Sequence, residues 1–290
     1  MIELHERLSE FSYGYGATRE AEDLLSGLGI KTVPFLPSLI QEKGLGFDVK
    51  FNKPGVPLLL QFKLGQSVER FVRTDKRFPA PAVERPFFRF TIDTAEPDGQ
   101  FETLLKAETD GAEVYYVAPR FADWPQYATF FENKEVLDRS VMISPTNIRN
   151  ALIAKQAPDG SHRIVYDQSS VHVCSEPSEI EEMRPELIED RIRGRLSHEA
   201  RTLEDAVWQV YEGFENRSAI RRPQLREESL HSDYASIVRT PDDSRRAQRI
   251  ERLHRLKTKA RSSEDAMGAA LGLELWALGI QLLLVSKNDD

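Results

Sequence analysis

The stretch GFDVKFNKPGVPLLLQFKLG, Gly46 to Gly65, decides how this chain is read. It reads as two short strands, Gly46–Phe51 and Val56–Lys63, joined by the turn chemistry of Asn52-Lys53-Pro54-Gly55. Strand side chains alternate between faces. In the first strand Phe47, Val49 and Phe51 share a face, with Asp48 and Lys50 opposite. In the second, Leu58, Leu60 and Phe62 oppose Leu59, Gln61 and Lys63. A Pro-Gly pair does not suit the primed two-residue turns, which favours a four-residue loop. That loop length puts Asp48 on the face of Gln61 and Lys63. The hairpin is then expected to carry one apolar face and one face bearing an acid, an amide and a lysine.

Such a set has a definite chemistry. A hard cation such as Mg²⁺ or Mn²⁺ takes oxygen ligands, few from protein and the rest from water and phosphate. Asp48 offers a carboxylate, Gln61 an amide carbonyl, and the Phe62 backbone carbonyl a further oxygen. Lys63 beside them can orient a water and neutralise charge developing on phosphorus. Glu20 or Glu22, on a preceding helix, can close the site from the side, and Glu42 offers one more charge. The reaction this permits is metal-assisted phosphodiester hydrolysis. Taken alone, a surface Asp–Lys pair is a solvated ion pair worth under about 1 kcal/mol, so the weight rests on the surrounding order of elements.

Outward from the hairpin, that order is regular. Gly16–Ile30 reads as a helix capped by Thr18, with Ala17, Ala21, Leu24, Leu25 and Leu28 on one face. Phe87–Asp93 is a third strand, Gly99–Gly111 a short helix, and Ala112–Pro119 a fourth strand. A helix near Trp124–Asp138 follows, then a hairpin over His162–Glu176. His162, His172 and Cys174 alternate on that hairpin, where they either ligate a metal or sit in the core.

The sequence order helix, strand, strand, strand, helix, strand, with Asp48 and Gln61-Phe62-Lys63 on adjacent strands, resembles the restriction-endonuclease-like, or PD-(D/E)xK, superfamily in its D…QxK, Mrr-like form. The resemblance spans roughly residues 12–119. It implies an α/β fold with an αβββαβ core and a mixed sheet. It also implies catalytic roles for Glu20, Asp48, Gln61 and Lys63, a metal held by Asp48, Gln61 and Glu20, and a Mg²⁺- or Mn²⁺-dependent endonuclease. DNA is the polymer it points to, and bacterial defence against foreign DNA the associated setting. No Pro precedes Asp48, and Gln61 replaces the commoner acid, which leaves the site one negative charge short. The alternative is a non-catalytic nucleic-acid- or protein-binding module on a degenerate nuclease fold.

Composition shifts at Glu176, so a nuclease-like α/β domain over 1–176 and a mainly helical region over 177–290 are expected. The latter holds an amphipathic helix at Thr202–Glu215, a basic helix over 244–261 and a final helix-strand unit. The final strand can return to the first domain's sheet. Arg245, Arg249, Arg252 and Arg255 of the basic helix are candidate phosphate contacts, as are Arg73, Lys76 and Arg77. The helical region also offers a surface for a protein partner or a second copy of the chain.

The remaining constraints are exclusions. A net charge of −8 over 290 residues argues against wholesale coating by nucleic acid and leaves room for local basic surfaces. The single cysteine, Cys174, excludes an internal disulfide and any cysteine-only zinc site, and a reducing cytoplasm is the simplest compartment. The N-terminus lacks a secretory pattern. Ala266–Val285 approaches the length of a membrane span. However, Glu274 at its middle, a Ser262 or Ser263 cap, and the stop at Gly279 predict a buried helix followed by a short strand.

Overall fold

The structure, a computed structural model, describes residues 8–26, 29–41, 44–71, 79–96, 99–174, 177–198, 201–215 and 242–288. It is a mixed α/β protein. The elements run α1 (Glu10–Ser26), β1 (Ile30–Pro34), β2 (Gly55–Phe62), β3 (Gln66–Val68), β4 (Phe87–Asp93), α2 (Gln100–Thr109) and β5 (Glu113–Pro119). Then come α3 (Trp124–Asn133), β6 (Ser140–Ile143), α4 (Pro145–Ala154), β7 (Ser161–Tyr166), β8 (Val171–Cys174), β9 (Ser178–Glu179) and α5 (Pro185–His198). The chain closes with α6 (Leu203–Glu215), α7 (Asp242–Lys259), α8 (Ser263–Trp276) and β10 (Ile280–Lys287).

Two sheets form, in the orders β1-β10-β2-β5-β6 and β3-β4-β7-β8-β9. The chain divides into two compact units. The first comprises Met1–Leu24, Gln61–Ala95 and Tyr115–Arg191; the second comprises Leu25–Leu60, Glu96–Val114 and Ile192–Asp290. This interleaving differs from the consecutive segments 1–176 and 177–290 expected from composition, because distant stretches of chain supply neighbouring strands.

In the first unit, α1 begins earlier than the expected Gly16. Ser9 caps it, its Oγ accepting the Ser12 N–H at 3.0 Å, so Thr18 lies inside the helix. Gly14 and Gly16 each make room for an aromatic side chain. A Cβ on Gly14 would stand 2.8 Å from the Phe62 ring, and one on Gly16 would stand 2.9 Å from the Tyr127 hydroxyl. The second sheet is antiparallel throughout. Its buried face carries Phe88, Phe90, Ile92, Ile164, Tyr166, Val171 and Val173. The predicted strand Phe87–Asp93 therefore forms, but in this sheet and not beside β2. The predicted hairpin also forms, as β7 and β8. Its register sets His162 opposite Ile92, while His172 and Cys174 pair with Val165 and Arg163 on the other face. The three cannot share one metal.

In the second unit, β10 pairs antiparallel with β1, from Ile30↔Lys287 to Pro34↔Leu283. The helix-strand reading of the C-terminal apolar segment holds. Ser262 caps α8, accepting the Asp265 N–H at 3.0 Å, and α8 is buried from Asp265 through Leu275. Gly279 stops the segment at a φ of 74°. Among the described residues no helix is long and apolar enough to cross a membrane.

The expected strand Gly46–Phe51 does not form. Its backbone groups find side chains instead of a ladder. The Phe47 N–H donates to Asp265 Oδ1 at 2.7 Å, and Arg261 Nη2 donates to the Phe47 carbonyl at 2.7 Å. The apolar alternation has a different cause. Phe47 and Phe51 meet edge-to-face at 6.4 Å, and both rings lie over Gly268 of α8. Burying two phenyl rings contributes about 2–3 kcal/mol each whichever backbone presents them.

Candidate active site at the end of β2

Strand β2 is buried from Val56 to Phe62, as a Val/Leu run in a central strand should be. Its ladder continues one residue further, where the Lys63 N–H donates to the Val117 carbonyl at 3.0 Å. Phe62 packs edge-to-face on Tyr13 of α1 at 5.7 Å. Gln61 is buried, and its Nε2 donates to the Phe62 carbonyl at 3.0 Å. Gln61 Oε1 is buried with no hydrogen-bond partner. A buried acceptor without a donor costs roughly 1–3 kcal/mol, so a polar side chain at this place in a central strand is a candidate for a role beyond packing.

Lys63 is half-buried, and loss of solvation lowers its pKa, opposed by the charge of Glu10. Glu10 opens α1 and answers in kind. Its pKa is raised by desolvation of the carboxyl, opposed by Lys63, although the residue as a whole is exposed. A lysine that loses solvation at the end of a central strand, within the field of an acid, is a candidate functional group. Glu10 was not among the expected residues. Had the helix been started at Ser9, Glu10 would have stood out as its first-turn acid. Gly65, two residues beyond Lys63, leaves room for the Tyr166 hydroxyl, which would lie 2.1 Å from a Cβ there.

Asp48 and Glu20 are engaged elsewhere. Asp48 lies on a bend, its side chain 89% exposed, and binds Lys31 Nζ at 2.7 Å. The Lys31 hydrogen bond and charge lower its pKa. Without a strand, alternation no longer assigns Asp48 to the face of Gln61 and Lys63. Asp48 also belongs to the second unit, whereas Glu20, Gln61 and Lys63 belong to the first. The Glu20 carboxylate accepts the Val136 N–H at 3.0 Å and the Leu137 N–H at 2.8 Å. It therefore fastens the turn after α3 to α1. Burial raises its pKa against the pull of those two donors. Glu22 is half-buried on α1. Glu42, Arg73, Lys76 and Arg77 lie outside the described residues.

The basic helix is not the open phosphate face that its sequence suggested. Arg249 Nη2 and Arg252 Nη1 bind the two carboxylate oxygens of Glu274 at 3.1 and 2.7 Å. All three side chains are largely buried. Arg249 Nη1 also donates to the Phe214 carbonyl at 3.0 Å. An acid buried in α8 needs a counter-charge, and α7 supplies two. Arg255 is exposed. Arg245 belongs to α7 by its backbone, its side chain lying outside the described residues.

Among the described residues, no three of His, Cys, Asp and Glu come together as a metal-binding group. Comparison with protein-family models, with curated proteins and with solved structures finds no match.

Proposed function

We propose that the chain is a metal-dependent nuclease whose working residues are Lys63, Gln61 and Glu10. One observation carries the reading: Lys63 is half-buried where the chain leaves β2, within the field of the Glu10 carboxylate and two residues past a glutamine with a buried, unpartnered carbonyl oxygen. A divalent cation of the Mg²⁺ type fits this donor set. It is satisfied by oxygen alone, and by one or two carboxylates when water and substrate phosphate complete its shell. Glu10 and Gln61 Oε1 would hold it, and it would supply Lewis acidity toward a phosphodiester. The Lys63 ammonium would donate to a non-bridging phosphate oxygen and offset the charge that builds there as water attacks. Burial strengthens that interaction, since a desolvated cation is poorly screened.

With β3 and β4 set aside in the other sheet, α1, β1, β2, α2 and β5 follow one another along the chain and β2 and β5 are neighbours in one sheet, which supports the likeness to the αβββαβ core. In this reading β10 takes the place of that core's second strand. Glu20 and Asp48 take no part in it; their carboxylates serve the turn after α3 and Lys31. The same two engagements favour a second reading, a nucleic-acid-binding module on this fold that does not cut.

The test is cleavage of labelled single-stranded and duplex DNA and of RNA, with Mg²⁺, with Mn²⁺ and with EDTA. The wild type should cut with metal only. Lys63→Ala should lose a hundredfold or more, the usual cost of a charge-stabilising donor, with its thermal unfolding little changed. Failure to cut any nucleic acid, or cutting that survives Lys63→Ala, would sink the nuclease reading.

A further inference from the structure

The exposed face of α1 carries an unusual stripe. Phe11 is 76% exposed and Tyr15 is 59% exposed, and four-residue spacing puts them one above the other. Arg19 continues the row. Helix α3 adds exposed Trp124 and half-buried Phe131, with buried Tyr127 packed between them. Tyr15 stacks on Phe131 at 6.0 Å and 30°, and the Arg19 guanidinium lies 4.7 Å over the same ring. Tyr127 touches Phe131 at 5.7 Å and Trp124 at 5.2 Å. Among the described residues, every large apolar side chain exposed on these two helices is aromatic. The row begins at Phe11, the residue after Glu10.

We infer that α1 and α3 form a stacking platform that binds single-stranded nucleic acid and leads it to the site at the end of β2. The inference deepens the proposed nuclease reading and rests on it for the nature of the polymer. Bases are flat, and exposed ring faces hold them regardless of sequence. Arg19 supplies a cation for the phosphate between stacked bases. Two of the nearby acids are engaged: Asp23 pairs with Lys134 at 2.9 Å, and Asp123 caps α3 through the Gln126 N–H at 2.9 Å.

The experiment is fluorescence anisotropy with a fluorescein-labelled oligothymidine and a duplex of equal length, at low salt and in EDTA so that nothing is cut. The single strand should bind more tightly. Phe11→Ala and Tyr15→Ala should each weaken it about tenfold, the worth of one stacked base, while duplex affinity stays within twofold. Both side chains are exposed, so the variants should fold, and circular dichroism checks this.

Three results would overturn the platform. The first is equal affinity for both forms. The second is no binding, or binding indifferent to the double variant. The third is self-association that the double variant abolishes, which would make the face an interface between copies. The two proposals fail separately. Lys63-dependent cutting without ring-dependent binding keeps the nuclease and removes the platform. Ring-dependent binding without cutting does the reverse.

Discussion

Asp167 shows how much a single residue can carry. Its Oδ1 accepts the N–H groups of Ser169 and Ser170, each at 2.8 Å, and its Oδ2 accepts the Glu84 N–H at 2.6 Å. One carboxylate thus closes the β7–β8 turn and ties it to the segment before β4. Burial alone would raise its pKa, but the backbone donors of Ser169, Glu84 and Ser170 outweigh that and hold it low. A depressed folded-state pKa contributes stability that is present above the ordinary aspartate value, about 3.9. That contribution is lost as the pH falls through the folded value. Asp167→Asn should therefore cost about 1–3 kcal/mol at neutral pH. The difference from wild type should shrink below about pH 4. Urea unfolding at the two pH values measures it, and a cost independent of pH would contradict the assignment. Glu20 differs: its donors are fewer and its burial wins, so its pKa goes up. Two acids that look alike in sequence thus titrate in opposite directions, because the number of N–H groups facing each differs.

At the scale of the element, α7 is the instructive case. Its sequence has the charge of a phosphate-binding helix, yet Arg249 and Arg252 neutralise Glu274. Removing one partner of a buried pair leaves a charge unpaired and costs about 3–5 kcal/mol, more than a surface pair is worth. Glu274→Gln should therefore lower stability sharply in chemical denaturation, since it strands two guanidinium groups, and Arg252→Ala should lower it less, because Arg249 still neutralises the acid. Arg255→Glu, at an exposed position, should stay within about 0.5 kcal/mol. Adding Arg252→Ala to Glu274→Gln should recover part of the loss, since one of the two uncompensated charges is gone. Equal stability of the two arginine variants would contradict the pairing. The segment Gly46–Phe51 makes a related point. Its alternating apolar residues predict a strand, but a strand also needs a neighbour with free backbone groups. Arg261 and Asp265 take those of Phe47, and Ser286 Oγ takes the Lys50 N–H at 3.4 Å.

For the whole molecule, the last strand matters most. β10 lies between β1 and β2 in its sheet and is buried from Ile280 to Ser286. A chain ending at Gly279 would leave the ladder edges of β1 and β2 open. It should lose its near-ultraviolet circular dichroism and its cooperative unfolding, whereas a cooperative transition in the truncated chain would refute this role for β10. The sequence by itself determined what local periodicity and capping encode. The strands at Val56–Phe62, Phe87–Asp93 and Glu113–Pro119, the hairpin of β7 and β8, and the final helix with its Ser262 cap were all legible, because each signal lies within a few residues. So were Gln61 and Lys63, whose polar side chains interrupt a buried run. Tertiary structure alone decided the rest. The Phe47–Asp265 bond joins residues 218 apart, and Glu20 meets its two donors more than 100 positions along the chain. The desolvation of Lys63 and Glu10 likewise arises only once α1 is folded beside the end of β2. Hydrogen-bond partners and burial are properties of what surrounds a residue in space, and a linear pattern records only which groups will need them.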